Sequence, residues 1–128
     1  MARRLISSGG PWEARFGYSR AVVLGGEAFV SGTTDAGPAG RSLHPGDAAA
    51  QARAVFEIIG HVLAEAGLSL ADVVRTRMFV TDVAAITPVT TAHGEVFRDI
   101  RPAATVVVVA ALIDPTLLVE IEVDARRS

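Results

Sequence analysis

Val73-Val74-Arg75-Thr76-Arg77-Met78-Phe79-Val80-Thr81 stands near the middle of the chain and is dominated by β-branched and aromatic side chains. That chemistry belongs to a strand, because branched residues pack well on a pleated surface. A period of two sets Arg75 and Arg77 on one face, opposite Val74, Thr76 and Met78. The text on either side is helical. Upstream, Asp47 follows Pro45-Gly46 and is placed to accept from the first free N–H groups of a helix. Gln51, Val55, Ile58, Ile59, Val62, Leu63 and Ala66 then recur at helical spacing, and Gly67 is placed to stop them. Downstream, Thr87 reads as a cap and Pro88 as the first residue of a helix running to about Arg98, with Val89, Ala92 and Val96 inward.

Further out the chain is β. Ser19–Leu24 and Ala28–Ser31 are split by Gly25-Gly26, which supplies positive φ for a hairpin. Residues 32–46 read as a loop by composition. Beyond Pro102 come Thr105–Leu112 and Leu117–Ala125, joined around Asp114-Pro115. Residues 1–17, with Gly9, Gly10, Pro11 and Gly17, read as an extended, turn-punctuated lead-in. The expected order is β-β-α-β-α-β-β, an α+β fold with two helices on one face of a mixed sheet. Thr105–Leu112 shows no alternation, so both of its faces ask for cover. Two helices supply only one layer. A second copy of the chain is the expected cover; the Gly-rich loop folded over the same face is the alternative.

Composition narrows the function. The chain has 128 residues, 50% apolar and 20% charged, which fits one globular domain spanning 1–128. Every basic residue is Arg, so Schiff-base and P-loop lysines are excluded; with no Cys, so are disulfides, thiolate nucleophiles and Cys-ligated metals. A net charge of −2 gives no basic footprint, and no nucleic-acid partner is expected. No apolar stretch long enough for a membrane helix and no signal-type h-region is present, so no membrane partner and a cytoplasmic location are expected.

Candidate chemistry concentrates in the last strand. Glu120, Glu122 and Asp124 share one face there, with Val119, Ile121 and Val123 on the other. Glu122 and Asp124 are placed to pair with Arg75 and Arg77 across the sheet. Glu120 lies nearest the Pro115 loop, where a carboxylate either joins that charge row or holds and polarises a water as a general base. His44, His61 and His93 have no helical metal spacing and read as surface or interface residues, so no metal is expected. Trp12, Phe16 and Tyr18 read as core plugs or as a ligand wall.

Five segments together resemble the Rid (YjgF) family: Gly17-Tyr18, Phe29-Val30-Ser31-Gly32, Val73–Asp82, Arg101–Thr105 and Val119-Glu120-Ile121-Glu122. They span nearly the whole chain in the family's order. The resemblance implies a chorismate-mutase-like fold, a homotrimer with clefts between subunits, and hydrolysis of reactive imines or enamines without cofactor. It places Glu120 on the residue that positions the attacking water. It places Ser31 and Gly32 on the ligand-contact segment, and Tyr18 on an aromatic reaching across the interface. Thr105 and Val106 fall on main-chain contacts, and Thr90 on a position often occupied by Asn. Catalytic members carry Pro-Ala-Arg where this chain has Pro102-Ala103-Ala104. The Arg grips a substrate carboxylate, an interaction worth on the order of 2–5 kcal/mol that Ala104 does not supply. The chain thus resembles an Arg-lacking subgroup, with Arg20, Arg75, Arg77 and Arg101 as candidate substitutes.

Three readings follow. One is a cofactor-free hydrolase of a small imine, enamine or related labile metabolite. A second is a trimer that binds a small metabolite without turning it over. A third, an endoribonuclease, is disfavoured by the acidic balance and the absence of Lys.

Overall fold

The computed structural model describes residues 2–128; Met1 of the expected 1–128 domain lies outside the described residues. The elements are β1 (Arg3–Ile6), α1 (Trp12–Phe16), β2 (Ala21–Leu24), β3 (Glu27–Thr33), α2 (Ala48–Glu65), β4 (Val73–Val80), α3 (Ile86–Phe97), β5 (Ala103–Val108) and β6 (Val119–Arg126). They build a mixed α+β fold on one six-stranded sheet, in the order β1-β2-β3-β6-β4-β5. Only β4 and β5 run parallel; the remaining pairs are antiparallel. Helices α2 and α3 pack against each other, and α2 lies on the central strands. Between these layers sits a core built on Phe56, Ile59, Leu63, Val80, Val89 and Ile121.

Helix α2 keeps the limits set by its sequence. The Asp47 side chain accepts from the Ala50 N–H at 3.0 Å. At the other end Gly67 takes φ 77°, and the Leu68 N–H closes onto the Leu63 carbonyl at 2.8 Å. Strand β6 also keeps its pattern, with Val119, Ile121 and Val123 buried and the three acids half-buried opposite them.

Four expectations are corrected. The lead-in is not merely extended: Arg3–Ile6 pairs with β2, and Trp12–Phe16 forms one helical turn stopped by Gly17 at φ 75°. Its aromatics do not plug the core. Trp12 and Phe16 stack at 5.8 Å with Arg15 over both rings, and they stay 53% and 65% exposed, because a single turn projects positions i and i+4 to one side. Val74 does not share the face of Thr76 and Met78: a register shift between Val73 and Arg75 leaves it 49% exposed, while Val73 and Thr76 are buried. Helix α3 begins at Ile86 after a short 3-10 turn whose cap is Asp82, so Thr87 is inside the helix and Pro88 is its third residue. Proline is tolerated there because the first-turn N–H groups have no intrahelical acceptor.

The apolar run 105–112 leaves the sheet after Val108, where its partner β4 ends at Val80. Every residue of β5 except Val106 is exposed. The 32–46 loop does not cover it. Its Ser42 N–H binds Thr116 Oγ1 at 2.8 Å, which ties the loop to the turn before β6 instead. On the face away from the helices, a register row runs Leu5, Val22, Phe29, Asp124, Arg75, Ala103. Leu5 and Phe29 remain 58% and 40% exposed on it.

One buried polar side chain joins the layers. Gln51, on the core face of α2, donates from Nε2 to the His44 carbonyl at 3.1 Å and to the Thr116 carbonyl at 3.0 Å. Its Oε1 accepts from the Leu118 N–H at 2.8 Å. Truncation strands three backbone groups. Gln51→Ala is therefore expected to lose about 3 kcal/mol, a fall in Tm of roughly 10 °C, and Gln51→Leu to recover little of it. Urea unfolding checks this; a loss below about 1 kcal/mol would mean that water replaces the amide.

Candidate functional site

The three acids of β6 have different fates. Arg77 of β4 reaches Glu122 at 3.5 Å and Asp124 at 3.2 Å, so those two form the expected charge row with Arg77, while Arg75 makes no ion pair with either among the described residues. Glu120 lies outside it, opposite the aromatic ring position Phe79 in register. A backbone neighbour comes from β3. There Val30 pairs with Val123 and Thr33 with Ile121, so Ser31 and Gly32 carry one extra residue. Such a bulge bends a strand and re-aims its residues. Gly32 is brought onto the carboxylate: a Cβ built there would overlap Glu120 Oε2.

Glu120 and Gly32 line a concavity of about 340 Å³ with Phe79, Val109, Ala111 and Leu112; Glu122 stands at its wall. Burial pushes the Glu120 carboxyl above the ordinary glutamate range; Arg20 acts against that, and the like charge of Glu122 adds to it. A desolvated carboxylate beside an apolar wall is a base of raised proton affinity. It is suited to taking a proton from water.

Arg20 follows the aromatic lead-in on the approach to β2. Its Nη2 donates to the Gly32 carbonyl at 2.6 Å. Beside it, the Ser31 hydroxyl donates to the Ser19 carbonyl at 2.6 Å, and the Ser31 N–H to the Arg20 carbonyl at 3.0 Å. Ser31 thereby fixes the bulge. Tyr18 and Ser31 line a second concavity of about 660 Å³ with Leu5, Glu13 and Val22. Tyr18 is 46% exposed there. Of the expected site residues, then, one chain joins Glu120 with Gly32, and Tyr18 with Ser31, and Arg20 links the two pairs.

The others lie apart. Ala104, Thr105 and Val106 are on the edge strand β5, in register with Thr76, Arg77 and Met78. Thr90 of α3 spends its hydroxyl on the Ile86 carbonyl at 2.8 Å. None of these four lines the concavity that holds Glu120. Among the candidate substitute cations, Arg77 is taken by Glu122 and Asp124, and Arg101 stands with Arg98 and His93 in another concavity, at φ 58°.

The sequence reading missed two arrangements. His93, expected at the surface or an interface, is half-buried against Phe56 and Phe97; its Nε2 lies 2.8 Å from Thr76 Oγ1, and burial lowers its pKa. Buried Asp35 accepts from Ser42 Oγ at 2.8 Å and lies 3.1 Å from His44 Nδ1, which orders a loop read only by composition. No signal short of tertiary structure marks either contact. Among the described residues, no group of three or more His, Asp or Glu side chains is gathered as a metal site, and no helix is long and apolar enough to cross a membrane.

Comparison with known proteins gives a consistent set of relatives. A family model described as endoribonuclease L-PSP matches residues 11–127. The chain is 38% identical over 126 residues to an uncharacterized protein of Streptomyces coelicolor, covering 98% of this chain and 93% of that one. It is 40% identical over 104 residues to the 3-aminoacrylate deaminase RutC of Acinetobacter baylyi, covering 81% and 82%. The crystal structure of Rv2704 from Mycobacterium tuberculosis, a member of the YjgF/YER057c/UK114 family, superposes with a TM-score of 0.87 at 45% identity, covering 98% and 100%.

The Gly32–Glu120 contact generates a direct test. In Gly32→Ala the flexible end of Glu120 moves aside, so stability should change by less than about 1 kcal/mol. The displaced carboxylate gains solvent, and its titration midpoint, read by carboxyl carbon NMR, should fall toward that of an ordinary glutamate. A midpoint equal to that of the wild type would show that the approach of Gly32 does not keep Glu120 buried.

Proposed function

The chain belongs to the endoribonuclease L-PSP family, also called YjgF or Rid, and on that premise we propose that it is a cofactor-free hydrolase of a small imine, enamine or related labile metabolite. The observation that carries the proposal is Glu120, a half-buried carboxylate of raised proton affinity set against Gly32 and an apolar wall. The deaminase named among the relatives supports the same reaction class. Glu120 takes a proton from water as its oxygen attacks the imine carbon. Glu120 returns that proton to the nitrogen, giving a neutral carbinolamine, and then carries the carbinolamine hydroxyl proton to the nitrogen as the C–N bond breaks, so that ammonia leaves and the C=O bond forms. An imine carbon is electrophilic enough for this without an added electron sink. Main-chain N–H groups near Gly32 and Thr105 stabilise the charge that develops.

The same reading makes the working unit a cytoplasmic homotrimer. Ala104, Thr105, Val106 and Thr90 are separated from Glu120 within one chain, so a cleft holding all of them takes residues from two copies. The uncovered sheet face with Leu5 and Phe29, and the open edge β5, supply apolar surface for such contacts.

Ala104 favours one competing reading, in which a small metabolite is bound and not turned over. A methyl at that position offers no charge to a carboxylate, so a carboxylate-bearing ligand is held less tightly there than by an Arg. Endoribonuclease action is set aside on the net charge of −2 and the acidic row of β6.

Release of ammonia and keto acid from freshly generated 2-iminopropionate tests the proposal. Glu120→Gln should lower turnover on the order of 100- to 10,000-fold while sedimentation still reports a trimer. Ala104→Arg should raise activity toward this carboxylate substrate. Unchanged turnover in Glu120→Gln would remove that residue from the mechanism. Silence from all three proteins, with thermal stabilisation by a small ligand and no product, would establish binding alone.

A further inference from the structure

We propose that Arg20 is a positioning residue of the Glu120 site: its guanidinium holds the bulged backbone of β3 against the Glu120 carboxylate and brings a positive charge to bear on that carboxylate. The part that concerns turnover rests on the hydrolase reading; the part that concerns the charge of Glu120 stands without it.

The geometry is a short chain of contacts. Arg20 Nη2 donates to the Gly32 carbonyl at 2.6 Å, and Gly32 lies against the Glu120 carboxylate with no room for a Cβ. One guanidinium thus fixes the peptide that defines one wall of the carboxylate's surroundings. Arg20 Nε is buried and has no partner, the only buried side-chain donor so placed among the described residues. An unpaired buried N–H on a charged group is unfavourable for folding. A neutral donor could also reach the Gly32 carbonyl, so that hydrogen bond does not by itself call for a charge at this position.

The surroundings of Glu120 make the charge matter. Glu122, next on the same face of β6, repels it, and Arg77 of β4 is engaged by Glu122 and Asp124. From β3 the neighbour is Gly32, and from 109–112 the wall holds Val109, Ala111 and Leu112, none of which carries charge. Arg20 is left as the cation that acts on Glu120, and its own charge is felt by Tyr18 and Glu13 as well as by Glu120. Removing it leaves burial and Glu122 unopposed, so the carboxyl must bind its proton more tightly. A base already protonated at working pH takes no proton from water.

The test reads Glu120 directly by carboxyl carbon NMR, assigned by its loss in Glu120→Gln. Arg20→Gln, which keeps a donor for Gly32 and removes the charge, should raise the Glu120 midpoint and move the acid limb of the pH–rate profile upward with it. Arg20→Lys keeps the charge and should hold the midpoint near that of the wild type. An unmoved midpoint in Arg20→Gln, or an equal rise in both variants, would overturn the proposal in favour of a purely structural arginine. The wild-type protein gives a reading that needs no Arg20 variant. The guanidinium nitrogen resonances of Arg20 should titrate with the Glu120 midpoint and stand still in Glu120→Gln; resonances indifferent to pH in the wild type would overturn the proposal. Because these midpoints need no substrate, failure of the hydrolase reading shows separately, as absent turnover in a wild type whose Glu120 and Arg20 still titrate together.

Discussion

The position of the Glu120 site depends on one amide. Gln51 reaches from the first turns of α2 to both the 44 loop and the turn that delivers β6, satisfying two carbonyls and one N–H that the core would otherwise bury unpaired. Its height on the helix is set by the Asp47 cap one turn earlier. Its grip on Leu118, two residues before Glu120, sets where β6 begins. A hydrophobic residue of equal volume would fill the space and leave the strand's start unspecified. Buried polar groups of this kind specify a register as well as stabilising it, provided every member is paired.

Three carboxylates on one strand face illustrate how position decides charge. Glu122 and Asp124 share Arg77 at partly exposed sites, where an ion pair contributes little to stability. Glu120 has no such partner and lies beside an apolar wall, so desolvation outweighs the pull of Arg20 and raises its proton affinity. The difference arises from the β3 bulge. One extra residue between Val30 and Thr33 brings a glycine backbone to the place where a side chain would otherwise stand.

Helices cover one face of the sheet and leave the other with an apolar margin around a charged centre. Leu5, Phe29 and Val107 are exposed there, while Arg77 pairs with both Glu122 and Asp124 between them. In the proposed trimer this face and the open β5 edge meet other copies, and the division of the family's site residues between two regions of one chain acquires a purpose.

Much of this was legible in the residues alone. The limits of α2 follow from Asp47 and Gly67, whose effects act within one helical turn, and the two faces of β6 follow from strict alternation. The family and Glu120 as its candidate base are likewise carried by local segments. Tertiary structure alone decided the rest, because each remaining feature depends on a partner distant in sequence. Arg3–Ile6 is a strand only because β2 lies beside it, and Val74 turns outward only because β6 offers one residue where β4 offers two. The choice of Arg20 over Arg77 and Arg101 as the cation acting on Glu120 is of the same kind. Nothing in the spacing of arginines sets them apart; the sheet register and the bulge at Gly32 do. Short-range propensity and periodicity determine which elements form, while the contacts that tune a charge come from chain segments that meet only on folding.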